Sequence, residues 1–413
     1  MVDTPTRVRY RDVFAVREFR ALWLAELLSI CGDQLARVAL SVMVFNSTSS
    51  ATLTGLTYGL TYAPSLVGGI LLTGIADRFP RRTVMAVVDL LRAALILLVV
   101  IPGMPFWGLC VLVGSVSLLN PVFKAAQLAV LPDMLPGDRF AVGMAIRQMT
   151  IQFAQLLGFA GGGLLIAVVS AHTALVADSA TFLASALFVW TGLRARPAAV
   201  DTATSRPGWL SAMSRGARLA FTDRGLRTLM LLGWLMAVIT VYEGLAAPYA
   251  ADLGGGSAYT GLLLAADPLG GVIGAYLFGR WVPAWLRPRL VGTLAIVAAG
   301  LLGGCLLRPG LPGSLLLFVV CGGLGTIVVM QASTTFTTAV PDEHRGQVVG
   351  LSNTGLSTAS GASPLLAGMI ADEIGAVETV GWFGLASAAL AVPLSIAWWR
   401  TYRGDRRRWT PEE

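Results

Sequence analysis

Acidic side chains set inside long apolar runs are the residues of this sequence that could do chemistry. Glu26 and Asp33 lie in the first such run together with Arg37, Asp178 in the sixth, Glu243 in the seventh and Asp267 in the eighth. A charge at bilayer depth costs at least about 2.5–3.5 kcal/mol on insertion scales, so each needs a partner, a wet cavity or a task. A carboxyl changes its ionisation as its surroundings dry and wet again, so carrying a proton is the chemistry these acids offer.

Geometry on an ideal helix narrows the set. At 100° per residue Glu26, Asp33 and Arg37 fall within about 60° of one another, a single polar stripe that should face a central cavity. Asp33 lies about 20 Å along the helix from Arg20, near the bilayer midplane, whereas Glu26 is nearer the cytoplasm. Asp33 and Arg37, one turn apart, read either as a permanent structural pair or as a titrating acid offset by a cation. Glu243 has no basic neighbour within a turn and reads as a proton carrier, a contact for a cationic substrate, or a hydrogen-bonded structural acid. Asp267, which precedes Pro268, and Asp178, about a turn from the outer surface, are further candidates, the latter open to water. Asp89 and Arg92, at i and i+3, read as a structural pair. Lys124, the only lysine, reads as neutralising Asp77 or Asp89 from a neighbouring helix. Trp234, Tyr242 and Tyr249 either line the cavity or pack and anchor.

Competing chemistries are missing from the sequence. It has no Gly-rich phosphate loop ending in Lys-Ser or Lys-Thr, so ATP is not the expected energy source and no cofactor is implied. His172 and His344 fall in loops on opposite faces, and Cys31, Cys110, Cys305 and Cys321 lie in apolar runs without metal-ligand spacing, so no metal site and no disulfide framework are expected. Serines lack a partnered His and Asp, which argues against an enzyme.

The elements that must hold these acids are membrane spans. Hydrophobic residues make up 55% of the 413 and charged residues 13%, with a mean hydropathy of +0.72, far from a soluble domain. Apolar runs fall near 20–45, 54–76, 83–102, 105–130, 139–168 and 172–193, then near 229–250, 259–281, 289–307, 313–338, 347–371 and 377–400. This predicts an all-α integral membrane protein of twelve transmembrane helices: a cytoplasmic N-terminus (1–19), a six-helix half (20–193), a cytoplasmic linker (194–228), a second six-helix half (229–400) and a cytoplasmic tail (401–413). The linker reads as a Pro- and Ser-containing stretch followed by a short interfacial helix over Ser214–Phe221. The net charge of +7 does not point to nucleic acid, because the arginines collect at span ends on one face. The loops of the other face hold a single arginine, Arg308. Both termini are therefore expected inside the cell membrane, in the cytoplasm. In a cysteine-free background, single cysteines replacing Thr48 or Ser257 should label with impermeant maleimide in intact cells, and those replacing Arg78 or Arg345 should not. Labelling at Arg78 would overturn the span count.

The second and third runs are joined by Thr73-Gly74-Ile75-Ala76-Asp77-Arg78-Phe79-Pro80-Arg81-Arg82, read as a tight turn. Its Ile75, Ala76, Asp77, Arg78, Arg81 and Arg82 match the signature loop Gly-x-Leu-Ala-Asp-Arg-x-Gly-Arg-Arg, and on them the chain resembles the major facilitator superfamily. The halves repeat weakly in parallel: Leu131-Pro132-Asp133 with Arg139 answers Val340-Pro341-Asp342 with Arg345, and Thr54-Gly55-Leu56 answers Thr260-Gly261-Leu262. Two parallel-repeated six-helix halves around a midplane site is that family's arrangement. Asp89-Leu90-Leu91-Arg92-Ala93, Leu131 to Pro136, and Leu22-Trp23-Leu24-Ala25 with Gly32-Asp33 resemble the exporter branch that includes macrolide efflux pumps and the enterobactin exporter.

The resemblance implies export of a small amphipathic or lipophilic compound by alternating access with proton antiport, the alternative being a lipid or metabolite facilitator without it. Substrate, protons and the lipid bilayer are the implied partners, and a monomer is expected. Asp77, Arg78, Arg81 and Arg82 would form a cytoplasmic gate. The fifth-span antiporter motif Gly-Pro-x-x-Gly-Gly appears as Gly158-Phe159-Ala160-Gly161-Gly162-Gly163, without its proline.

Overall fold

The computed structural model describes residues 8–196, 217–404 and 409. The expectations for residues 1–7, for the linker over 197–216 and for most of the tail lie outside the described residues. The helices are α1 (Tyr10–Phe14), α2 (Arg17–Thr48), α3 (Ala51–Gly59), α4 (Ala63–Leu71), α5 (Ile75–Arg78), α6 (Arg81–Val99), α7 (Phe106–Met134), α8 (Asp138–Val168) and α9 (Ala171–Gly192). They continue as α10 (Arg224–Ile239), α11 (Val241–Gly244), α12 (Ala246–Asp252), α13 (Ser257–Trp281), α14 (Arg287–Leu302), α15 (Gly310–Ala339), α16 (Asp342–Ile374) and α17 (Ala376–Gly404). Among the described residues, nine helical stretches are long and apolar enough to cross a membrane by themselves. The other three expected spans are helical too. The second is broken into α3 and α4, the third (α6) carries Arg81, Arg82, Asp89 and Arg92, and the eleventh (α16) is rich in Ser, Thr and Gly.

Two expected spans are broken into separate α-helices, and the ninth ends as a 3-10 helix over Gly303–Leu307. Between α3 and α4 the ring of Pro64 would collide with the carbonyl of Leu60, four residues back, so the helix restarts at Ala63. The seventh span is divided into α10, α11 and α12, and Pro248, in the same relation to Gly244, accounts for the break between α11 and α12. The signature loop is not a bare turn: Ile75–Arg78 form one helical turn before Pro80 opens α6.

The chain divides into two compact units. The first comprises residues 1–39, 64–162 and 168–202. Within it α6 packs against α7 and α9, presenting Met85, Val88, Asp89, Arg92, Ala93, Ile96 and Val99 to the interior at helical spacing. Its other side shows Val87, Leu90, Leu91, Leu97 and Leu98 to the surroundings; an exposed face that is apolar suits lipid.

The second unit comprises residues 40–63, 163–167 and 203–413, so the end of α2 and all of α3 belong with the C-terminal helices. There α3 lies against α16 backbone to backbone. A Cβ on Gly55 would stand 2.1 Å from the carbonyl oxygen of Pro364, and one on Gly59 2.2 Å from that of Gly361. Without a hydrophobic force between helices in lipid, such close approach by small residues supplies the packing.

Candidate functional site

The first unit gathers its intramembrane charges around one guanidinium. Arg92 is buried, and its Nη2 donates to both oxygens of Asp33 at 2.8 and 3.1 Å. Its Nη1 lies 3.5 Å from Asp89, whose other oxygen accepts from the Ser185 hydroxyl at 2.5 Å. The guanidinium stacks 4.1 Å over the Phe182 ring. The Asp89–Arg92 pair is thus present but is half of a larger assembly, and Arg92 also sits on Asp33, a partner the sequence did not suggest. One carboxylate within its own helix leaves most donors of a buried guanidinium idle; Asp33 and Ser29 engage more of them, while Nε has no partner among the described residues. Asp178 is 1% exposed, which corrects the expectation that it stands in water. Lys124 lies in the field of Asp33, Arg37, Arg92 and Arg147 and acts on Glu26 as well; its expected partner Asp77 has its side chain outside the described residues.

Glu26 has a partner that sequence reasoning missed. Arg147 of α8 donates Nε–H to its Oε1 at 2.7 Å and Nη2–H to Gln127 at 3.1 Å. Arg147 is itself an intramembrane charge, and that alone should have flagged it. Both side chains are about nine-tenths buried. Glu26→Leu should therefore cost about 3–5 kcal/mol by stranding a charge, and adding Arg147→Met should recover most of it. Thermal unfolding of the purified protein in detergent checks this, and an unchanged midpoint in Glu26→Leu would refute it.

In the second unit, Tyr58 of α3 donates its hydroxyl to Oε2 of Glu243 at 2.6 Å. Glu243 sits on the four-residue α11, between the two breaks of the seventh span. The adjacent Tyr242 donates to Oδ1 of Asp267 on α13. The rings of Tyr242 and Tyr249 pack on Phe318, with centroids 4.3 and 5.4 Å away. Both tyrosines are buried, so they are core rather than cavity lining. The Trp234 indole N–H is held by the Ser352 carbonyl at 3.0 Å.

At the end of α16, Asp372 grips the start of α3. Its Oδ1 accepts from the Ala51 amide at 2.5 Å, and its Oδ2 from the Ser50 hydroxyl, the Thr52 amide and the Thr52 hydroxyl at 2.9, 3.1 and 2.5 Å. Burial pushes this carboxyl up, but donation from Thr52, Ala51 and Ser50 outweighs it and holds Asp372 below the usual carboxylate range. Nothing in the sequence marked this contact, because it joins residues some 320 positions apart.

Of the signature loop, Arg81 donates to the Ala129 carbonyl at 2.7 Å and to Asp133 at 3.1 Å, and Arg82 lies 4.4 Å over the Trp190 ring. The side chain of Asp77 lies outside the described residues. The glycine motif mediates close packing. Gly158 abuts Cys31 and Gln34, Gly162 abuts Leu35, and, in the second unit, a Cβ on Gly163 would stand 2.6 Å from Gly261 Cα. Among the described residues no group of His, Cys, Asp and Glu is arranged to hold a metal ion.

These features can be set beside known proteins. The family model described as Major Facilitator Superfamily matches residues 22–245 and 244–413. The chain is 27% identical over 406 residues to the enterobactin exporter EntS of Citrobacter koseri, covering 93% of each chain. It is 28% identical over 352 residues to EntS of Escherichia coli O6:K15:H31, covering 81% of this chain and 80% of the relative. Among solved structures it resembles a bacterial homolog of the human lysosomal transporter Spinster, inward-facing and occupied, with TM-score 0.75 at 16% identity over 98% of this chain and 100% of that one. It also resembles the nucleoside transporter NupG, with TM-score 0.73 at 15% identity over 94% and 99%. At these identities the structural likenesses speak for the fold alone. The matched family model spans nearly the whole chain, the helices are those of a multi-pass integral membrane protein, and the chain belongs to the Major Facilitator Superfamily.

Proposed function

We propose that this protein exports a small amphipathic, siderophore-like or drug-like compound across the cell membrane by alternating access, driven by inward movement of protons. The observation that carries the reading is the Tyr58–Glu243 hydrogen bond. It places a carboxyl inside the membrane-spanning region, on a broken helix, and ties it to α3, which Asp372 also holds. Ionised Glu243 accepts a charge-assisted bond from Tyr58, and protonated Glu243 accepts a weaker one. Proton occupancy thereby biases a contact that a transporter must make and break, the requirement for coupling. The similarity to EntS over nearly the whole length supports export and the substrate class. Asp33, carrying Arg92, is assigned to the same proton economy, and Asp77, Arg78, Arg81 and Arg82 to a cytoplasmic gate. The protein works as a monomer with both termini in the cytoplasm.

The test is counterflow and uphill transport in proteoliposomes, with enterobactin and a panel of lipophilic drugs, each with and without a pH gradient. Accumulation of a compound only when the gradient is imposed supports the reading. Counterflow unaffected by the gradient for every compound that moves would leave a facilitator.

A further inference from the structure

We propose that Asp178 is a proton-binding site, its buried carboxyl holding a proton that it exchanges with Asp33 while Arg92 shifts between the acids around it. The proposal deepens the proton-coupled reading and rests on it for the consequence to transport, but the site itself is argued from geometry.

Three carboxyls, Asp33 on α2, Asp89 on α6 and Asp178 on α9, act electrostatically on one guanidinium. They are not equally served. Asp33 takes both bonds of Nη2. Asp89 has Ser185 and the edge of the same guanidinium. Asp178 has almost nothing: its Oδ2 is buried and without a hydrogen bond among the described residues. Its Oδ1 is 3.4 Å from the Thr181 hydroxyl, whose shorter bond, 2.7 Å, goes to the Asp178 main-chain carbonyl. The other charges near the cluster do not serve Asp178. On α2, Glu26 is bonded to Arg147 of α8; on α7, Lys124 lies in the field of Asp33 and shares its surroundings with Arg37, Arg92 and Arg147. An ionised carboxylate buried with no cation of its own and a single long hydrogen bond is far costlier than the neutral acid. Asp178 therefore rests as the acid.

Its position suits exchange rather than storage alone. A Cβ on Gly32 would stand 2.3 Å from Asp178 Oδ1 and 2.1 Å from Thr181 Oγ1, so only glycine leaves the slot in which this acid lies beside the residue preceding Asp33. Asp33 is the one member with appreciable exposure, its side chain 25% accessible against 0% for Asp89. Water reaches the cluster through Asp33. When the proton moves from Asp178 to Asp33, one O–H bond breaks and one forms, the net charge is unchanged, and the negative charge passes from α2 to α9. Arg92 follows it, loosening its hold on Asp33. The exchange thus converts a proton into a change of contact between α2, α6 and α9.

Infrared difference spectroscopy on the full-length protein in proteoliposomes tests this. The wild type at neutral pH should show a protonated-carboxyl C=O band that moves in D2O. Asp178→Asn should lack it, and Asp178→Glu should shift it. Absence of such a band, or its persistence in Asp178→Asn, overturns the proposal. Loss of the band on adding sodium at constant pH would make this a cation site and overturns it as well. Uphill export in Asp178→Asn should fall at least tenfold, with Asp178→Glu recovering part. Unimpaired uphill export in a well-folded Asp178→Asn sinks the exchange with Asp33. If the wild type itself shows no gradient-driven export, the functional reading fails while the band still decides the site. If Asp178→Asn does not fold, disappearance of the wild-type band with rising pH, together with the Asp178→Glu shift, decides in its place.

Discussion

Glutamine at position 243 should abolish export driven by a pH gradient while leaving substrate counterflow in place. The amide accepts the Tyr58 hydroxyl as the neutral acid would, so the local fold has no reason to change. What is lost is the alternation between a charged and a neutral acceptor, and with it the differential contact through which a proton shifts a two-state equilibrium. A charge-assisted hydrogen bond contributes about 1.5–3 kcal/mol against about 1 for a neutral one. The difference, about 0.5–2 kcal/mol, is a bias of roughly two- to thirtyfold that Glu243→Gln removes, with counterflow changed little. Tyr58→Phe should move in the same direction by less, since the carboxyl persists and only its reporter is gone. Asparagine at position 33 should remove both activities, because it deprives the buried Arg92 of its bidentate partner. Measuring uphill export and counterflow for each variant separates these outcomes. Normal uphill export in Glu243→Gln would remove Glu243 from the mechanism and leave Asp33, Asp178 or Asp267 to carry the proton.

The contrast between these acids shows what could be read from sequence and what could not. Composition and loop arginines imply the helical membrane class, because both follow from solvent: apolar runs of span length and cations on one face need no tertiary knowledge. The signature loop pointed to the family from six matching residues. Ion-pair partners are different, for they depend on how helices are rotated and which faces meet. Asp33 and Arg37 share a face one turn apart, and that proximity outweighed Arg92, already assigned to Asp89 on its own helix. The structure gives the guanidinium to both acids, because a single carboxylate offsets too little of a buried cation's desolvation. Arg147 was visible as a charge within a span, yet without a contact map nothing said it would meet Glu26. The breaks at Pro64 and Pro248 were not legible from the prolines alone, since Pro121, Pro132, Pro268, Pro364 and Pro393 lie inside helices that run on unbroken. They matter here because the break at Pro248 ends the short α11 that carries Glu243.

Closing Asp372 onto Ser50 with a covalent bond should stop transport altogether. In a cysteine-free background, Ser50→Cys with Asp372→Cys, oxidised to the disulfide, fixes α3 to the end of α16 where four hydrogen bonds now hold them. A transporter that alternates must part this contact if α3 and α16 belong to opposite sides of its moving interface, so export and counterflow should both vanish and both return on reduction. Removing the grip should act oppositely. Asp372→Ala leaves the Ala51 and Thr52 amides and two hydroxyls without their acceptor. Hydrogen bonds to a carboxylate are worth about 1.5–3 kcal/mol each in burial, but this exposed group is screened, so a net effect nearer one factor of ten is expected. It is read as faster maleimide labelling of a cysteine replacing the buried Thr54 one turn below.

The sign of the pH dependence follows from the depressed carboxyl. Its contribution is fully present above the ordinary carboxylate value of about 4. It is lost only as pH falls through the lower value that Asp372 has in the closed contact. Labelling at position 54 should therefore be flat between pH 5 and 8 as far as Asp372 is concerned. Any change in that window that survives Asp372→Ala and disappears in Glu243→Gln belongs to the Tyr58 bond. A disulfide-locked protein that still exports would show that α3 and α16 move as one body, and would take this contact out of the transport cycle.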